Sequence, residues 1–134
     1  MKNNNCTIYL VRHGRTDWNK QGIIQGHTDI PLNIEGEKEA KKLAKELNGI
    51  KFDKAFSSDL LRAKKTAEII VLEHKLAVKT TKALRERHFG DMEGKPSKLL
   101  KEISKTISEL EESKRFSYKS HPLVESDEEI MSRF

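Results

Sequence analysis

Cysteine is almost absent from this chain: Cys6 is the only one in 134 residues. A single thiol makes no internal disulfide and no cysteine metal cluster, and a reducing compartment is its natural setting. Long apolar runs are missing too. None approaches the roughly 20 residues of a membrane-spanning helix, and Met1-Lys2-Asn3-Asn4-Asn5 lacks the apolar core of a signal peptide. The expected location is the cytoplasm, with no membrane partner. Hydrophobic residues make up 35% of the sequence and aromatics 6%, against 35% charged residues, so the core is small. The net charge of +5 comes from 26 Lys and Arg against 21 Asp and Glu. Most lysines are dispersed among glutamates at helical spacing, the pattern of a solvated face. With few aromatics interleaved and no recognition motif, the charge argues against nucleic-acid binding. No repeat, low-complexity linker or composition shift divides the chain, and residues 1–134 are expected to form one domain.

What is present is concentrated at Leu10-Val11-Arg12-His13-Gly14-Arg15-Thr16. The apolar, β-type run Thr7-Ile8-Tyr9-Leu10-Val11 ends in a cation, an imidazole and a residue without a side chain. Arginine offers a planar fork of donors matched to phosphate oxygens. Histidine acts as nucleophile or acid/base near neutral pH, and glycine admits close backbone approach.

Residues 7 to 12 read as a first strand, covered on both faces because its apolar residues do not alternate. A long polar connection follows through Gly22, Gly26 and Pro31, and loops of that length are often functional. Asn33 or Glu35 begins a helix with Ala40, Leu43, Ala44 and Leu47 on one face, closed by Gly49. Lys54 to Ser57 is a short strand. Ser58 or Asp59 caps a helix from about Leu60 to Lys75 that carries Arg62 in its first turn. A third strand lies within Val78 to Leu84, and Leu99, Leu100, Ile103, Ile107 and Leu110 outline an amphipathic helix after a Ser97 cap. Residues 113 to 125 read as loop. Ser126 and Glu129 form a capping box for a last helix.

This order predicts an α/β fold with a mainly parallel sheet covered by helices on both faces. In such sheets ligands sit beyond the carboxyl ends of the strands. Arg12-His13-Gly14, Ser57-Ser58 with Arg62, and Glu86 each follow a predicted strand, so three segments converge on one edge. Two arginines, a histidine and a carboxylate meet there, and Arg62 lies near a helix N-terminus whose dipole favours an anion.

Four ordered blocks resemble the histidine phosphatase superfamily, in its phosphoglycerate mutase-like branch. They are Leu10-Val11-Arg12-His13-Gly14 with Thr16 and Asn19; Gly26-His27-Thr28-Asp29-Ile30-Pro31-Leu32 with Gly36; Ser57 to Ala63 with Thr66-Ala67; and Leu84-Arg85-Glu86 with Gly90 and Glu93-Gly94. The resemblance implies that His13 is the nucleophile and forms a phosphohistidine. It implies that Arg12 and Arg62 clamp the phosphate, with Asn19 as a neutral donor and Gly14 and Thr16 in the same motif. Glu86 would be the general acid and then the base, and Gln25 and Gly26 would touch substrate. No metal or other cofactor is implied, since two arginines neutralise the phosphate. His27, His74, His88 and His121 read as surface or rim residues without metal-ligand spacing.

The implied function is hydrolysis of a small phosphorylated metabolite. Phosphoglycerate mutase-type transfer uses the same residues, and a phosphate-binding remnant without turnover would bind through Arg12 and Arg62. The family carries a second active-site histidine on a later strand, beside the first strand. The sequence runs to Phe134 without it, so the expectations are an incomplete fold, impaired activity and an apolar sheet edge open to self-association or a partner chain.

Overall fold

The computed structural model describes residues 5–134. Within them lie α1 (Asp17–Gln21), α2 (Ile34–Leu47), β1 (Ala55–Ser57), α3 (Leu61–Val71), β2 (Val78–Thr80), α4 (Lys98–Glu109), α5 (Glu112–Arg115) and α6 (Asp127–Ser132), with 3-10 turns at Lys82–Leu84 and Gly90–Met92. β1 and β2 pair in parallel, Ala55 opposite Val78 and Ser57 opposite Thr80. Parallel neighbours need a crossover connection, and α3 makes it, packing against both strands and against α2. The mixed α/β class with a parallel sheet is the one read from the sequence.

The Asn33 side chain caps α2 by accepting from the Gly36 N–H at 2.9 Å, while its Nδ2 donates to Asp17 at 3.1 Å. Ala40 and Ala44 are buried, and such small side chains let α2 close on α3. The helix ends at Asn48, and Gly49 after it does not take the left-handed conformation of a capping glycine. For α3 the local cap is replaced by a distant one. Leu60 makes no side-chain cap bond, and Asp29 accepts from the Leu61 N–H at 2.7 Å. Asp59 is engaged elsewhere, taking two bonds from Arg85 at 2.7 and 2.6 Å. That bidentate pair ties the turn after β1 to the segment after β2.

The strand expected over residues 7 to 12 is a correction. These residues have no ladder partner among the described residues. Ile8 is 81% and Leu10 96% exposed. An apolar β-type run reports a tendency to be buried, but a strand exists only where another backbone pairs with it, and β1 and β2 pair with each other. Tyr9 gives the segment one side-chain anchor, edge-on to Phe52 at 5.3 Å between centroids. Two short helices also occupy stretches read as loops. α1 is built by a capping box between Thr16 and Asn19, a polar local device that hydrophobic periodicity does not register. α5 is a single turn. The Ser126–Glu129 capping box of α6 is as expected. No helix among the described residues is long and apolar enough to cross a membrane.

Replacing Asn33 with alanine removes both its bonds and is expected to lower unfolding stability by about 1 kcal/mol in urea titration. An unchanged midpoint would mean that the cap contributes nothing to α2.

Candidate active site

A cavity of about 310 Å³ opens among the turn at residues 12–13, the loop at 22–26, the start of α3 and the segment 86–89. Arg12, His13, Asn19, Gln25, Gly26, Arg62 and Glu86 line it, and Ile23, Ile24, Phe89 and Leu100 form an apolar wall. Seven of the nine residues singled out from the sequence thus face one space. Gly14 and Thr16 are not among its lining residues.

The His13 ring is oriented by its neighbour. Nδ1 lies 2.7 Å from the Gly14 carbonyl oxygen. A carbonyl oxygen only accepts, so Nδ1 carries the proton and the neutral ring keeps its lone pair on Nε2. Burial lowers the pKa of His13, and the positive charges of Arg62 and Arg12 lower it further; the Gly14 bond and Glu86 oppose them without prevailing. The neutral form of the ring, with its lone pair on Nε2, is thereby favoured.

Arg62 is only 2% exposed. Its guanidinium donates to the Gly26 carbonyl at 2.7 Å and to the Thr28 carbonyl at 3.0 Å. Burial lowers its pKa, with Glu86, Asp29 and Glu93 opposing. Of five N–H donors, those not taken by the two carbonyls remain available to an anion. The helix N-terminus expected to help hold that anion already has an anionic cap of its own, since Asp29 occupies the Leu61 N–H. The guanidinium groups of Arg12 and Arg62 are the positive charges lining this cavity.

Gly14 is a packing residue. A Cβ there would overlap the carbonyl oxygen of Gly36 in α2, so the close approach its glycine permits is to a helix. Its N–H donates to the Thr66 hydroxyl at 3.1 Å, and that hydroxyl donates to the Arg62 carbonyl at 2.7 Å. The turn bearing His13 is thereby fastened to the helix turn bearing Arg62. Thr16 is fully buried. Its hydroxyl lies 2.7 Å from Gln25 Oε1 and 3.0 Å from Asn19 Oδ1, and its N–H donates to the same Asn19 oxygen at 3.0 Å. Thr16 thus orients two cavity residues from behind. With its oxygen so engaged, Asn19 has its amide N–H groups left to donate.

Glu86 is exposed and sits on a braced backbone. Its carbonyl lies 2.8 Å from His27 Nε2, and Arg133 donates to the Arg85 and Glu86 carbonyls at 2.8 and 3.3 Å. His27 and His88 pack together at 4.8 Å between centroids; burial lowers the His27 pKa, and the charge of His88 adds to that. His74 lies apart, edge-on to Phe52. Three contributors were not assigned from the sequence: Asp29, Glu93 and Arg133. Glu93 lies in a motif block without a readable role. Arg133 had no signal, because its bonds are to backbone carbonyls distant in sequence. No group of three or more His, Cys, Asp or Glu among the described residues is placed to hold a metal ion.

A sequence profile of the histidine phosphatase superfamily (branch 1) matches residues 8–134. The uncharacterized phosphatase PhoE of Bacillus subtilis is 38% identical over 126 residues, which cover 94% of this chain and 59% of PhoE. Fructose-2,6-bisphosphatase TIGAR of Xenopus tropicalis is 41% identical over 103 residues, covering 73% of this chain and 38% of that protein. Among solved structures, TTHB049 of Thermus thermophilus superposes with a TM-score of 0.71 at 38% identity, over 92% of this chain and 65% of its own. YhfR of Bacillus stearothermophilus gives a TM-score of 0.74 at 27% identity, over 91% of this chain and 60% of its own. The chain thus spans 38% to 59% of the length of these two curated relatives.

The environment of His13 makes a prediction about pH. Its ring is expected to titrate with an NMR midpoint below 6.5, and Arg12→Gln is expected to raise that midpoint by removing a positive charge. Because the unfolded chain takes up this proton at higher pH than the folded one, the group's contribution to stability is intact above about pH 6.5 and is lost as pH falls below it. A midpoint at or above the ordinary histidine value would contradict the arrangement.

Proposed function

The chain belongs to the histidine phosphatase superfamily (branch 1), and on that premise we propose that it is a metal-independent phosphomonoesterase acting on a small phosphorylated metabolite. The observation that carries the proposal is the His13 ring, held by Gly14 with its lone pair on Nε2, in one cavity with two guanidinium groups. Arg12 and Arg62 neutralise the phosphate oxygens and Asn19 adds an amide donor. Nε2 attacks phosphorus, the bond from phosphorus to the leaving oxygen breaks, and protonated Glu86 gives that oxygen its proton. The Glu86 carboxylate then takes a proton from water, whose oxygen attacks the phosphohistidine and frees inorganic phosphate and the ring. Positioning and charge neutralisation carry most of such a transfer.

Arg12 and His13 follow directly on a segment with no ladder partner among the described residues. Reacting groups on an unpaired backbone lose effective concentration. Turnover by this chain is therefore proposed to be impaired relative to a protein in which residues 7–11 are paired, whether by its own chain or by a second one.

Hydrolysis of p-nitrophenyl phosphate with chelator present tests the reading. His13→Ala is expected to abolish turnover. Glu86→Gln is expected to slow hydrolysis of an alkyl phosphate by about 10²-fold or more, and that of p-nitrophenyl phosphate less, because nitrophenolate leaves without needing a proton. Equal activity in wild type and His13→Ala would place the chemistry elsewhere. Folded protein that binds phosphate but turns nothing over would reduce the site to a binding site.

A further inference from the structure

Glu93 is not among the residues lining the cavity, yet its carboxylate bonds only to segments that wall it. Oε2 accepts from the Thr28 N–H at 2.7 Å and from the Thr28 hydroxyl at 2.5 Å. Oε1 accepts from the His27 N–H at 2.9 Å and the Phe89 N–H at 3.1 Å, and His88 Nε2 lies 3.7 Å from it. The side chain is 10% exposed. Burial alone would raise the pKa of this carboxyl, but the donors from Thr28, His27 and Phe89 outweigh it and the net shift is downward. Glu93 is thus an ionised carboxylate in a nest of N–H and O–H groups. Gly26, at φ +53°, is needed beside it twice over: for its left-handed backbone and because a Cβ there would strike the Glu93 carboxylate.

The same loop is gripped from its other side. Residues 27 and 28 give N–H groups to Glu93, while residues 26 and 28 give carbonyl oxygens to Arg62. An anion therefore faces the donors of residues 27 and 28, and a cation faces the acceptors of residues 26 and 28. Hydrogen bonds chained in this way polarise and strengthen one another where water is excluded. The carbonyls also fix which Arg62 donors are taken and which remain for a ligand.

We propose that Glu93 is a positioning residue for anion capture: by locking residues 26–28, it aims their carbonyls at Arg62 and so holds the free guanidinium N–H groups toward the cavity. The proposal rests on Arg62 being a phosphate ligand. A carboxylate that merely stapled two loops would contribute to stability and leave Arg62 unaffected.

Two measurements on the full chain separate these roles. Glu93→Gln keeps the shape but turns one acceptor into an N–H₂ that meets other donors. In the ligand-free protein, the Arg62 side-chain NMR signals, assigned by their absence in Arg62→Ala, are expected to be resolved in wild type and to collapse toward the solvent-exposed arginine position in Glu93→Gln. Unchanged Arg62 signals would overturn the proposal. Inorganic phosphate is then titrated into wild type, Glu93→Gln, Arg62→Ala and the double variant. Glu93→Gln is expected to weaken phosphate binding about tenfold in wild type and less than about twofold in the Arg62→Ala background, the non-additivity of two residues acting as one unit. The same tenfold loss in both backgrounds would overturn it. Thr28→Val, which removes one donor without touching the carboxylate, is expected to show the same coupling at smaller size, and it serves if Glu93→Gln unfolds. A wild type that binds no phosphate, while its Arg62 signals still collapse in Glu93→Gln, would sink the phosphate-site reading and leave the clamp standing.

Discussion

A guanidinium buried as deeply as Arg62 sets the terms for everything around it. Taking a cation out of water costs several kcal/mol unless its donors are met and opposite charge lies near. The chain meets that cost with the carbonyls of Gly26 and Thr28 and with three carboxylates at longer range. Those carbonyls belong to a loop 34 to 36 residues earlier in the chain, so satisfying the charge draws the loop, and with it Gln25, onto the start of α3. The carbonyl of Arg62 reaches Thr66, whose hydroxyl receives the Gly14 N–H. The guanidinium thereby fixes the loop, and the same helix turn, through Thr66, holds the turn that bears His13.

The electrostatics of the site follow from the same placement. Burial makes a proton on the His13 ring unfavourable, and the charges of Arg62 and Arg12 in the same cavity make it more so. Glu86 lines the same cavity, exposed, on a backbone braced by His27 and Arg133.

Much of this was legible in the sequence, and what was not has common physical causes. α2, α3 and α4 announce themselves by apolar spacing, and α6 by a capping box, because these are local signals. The convergence of Arg12, His13, Arg62 and Glu86 was expected from four short motifs and from three strand ends, the first of which, over residues 7 to 12, is not a strand. Three things stayed hidden because they are not local. The cap of α3 comes from Asp29, far away in the chain. Gly14 and Thr16 act on Gly36 and Gln25, from behind the cavity wall. Three of the groups that bond Glu93 are backbone N–H groups, which any sequence presents alike. The apolar run from Thr7 to Val11 misled in the opposite sense, since its composition specifies a strand and says nothing of whether a partner strand is present.

Trapping the phosphoenzyme tests the central claim most directly. Protein mixed with excess phosphomonoester, quenched in alkali and digested, is expected to yield the peptide containing His13 heavier by one phosphoryl group. That label should be lost in mild acid, as a phosphoramidate bond is, and should be absent from His13→Ala. A phosphoryl group on any other residue, or turnover in which none is ever trapped on His13, would contradict the account.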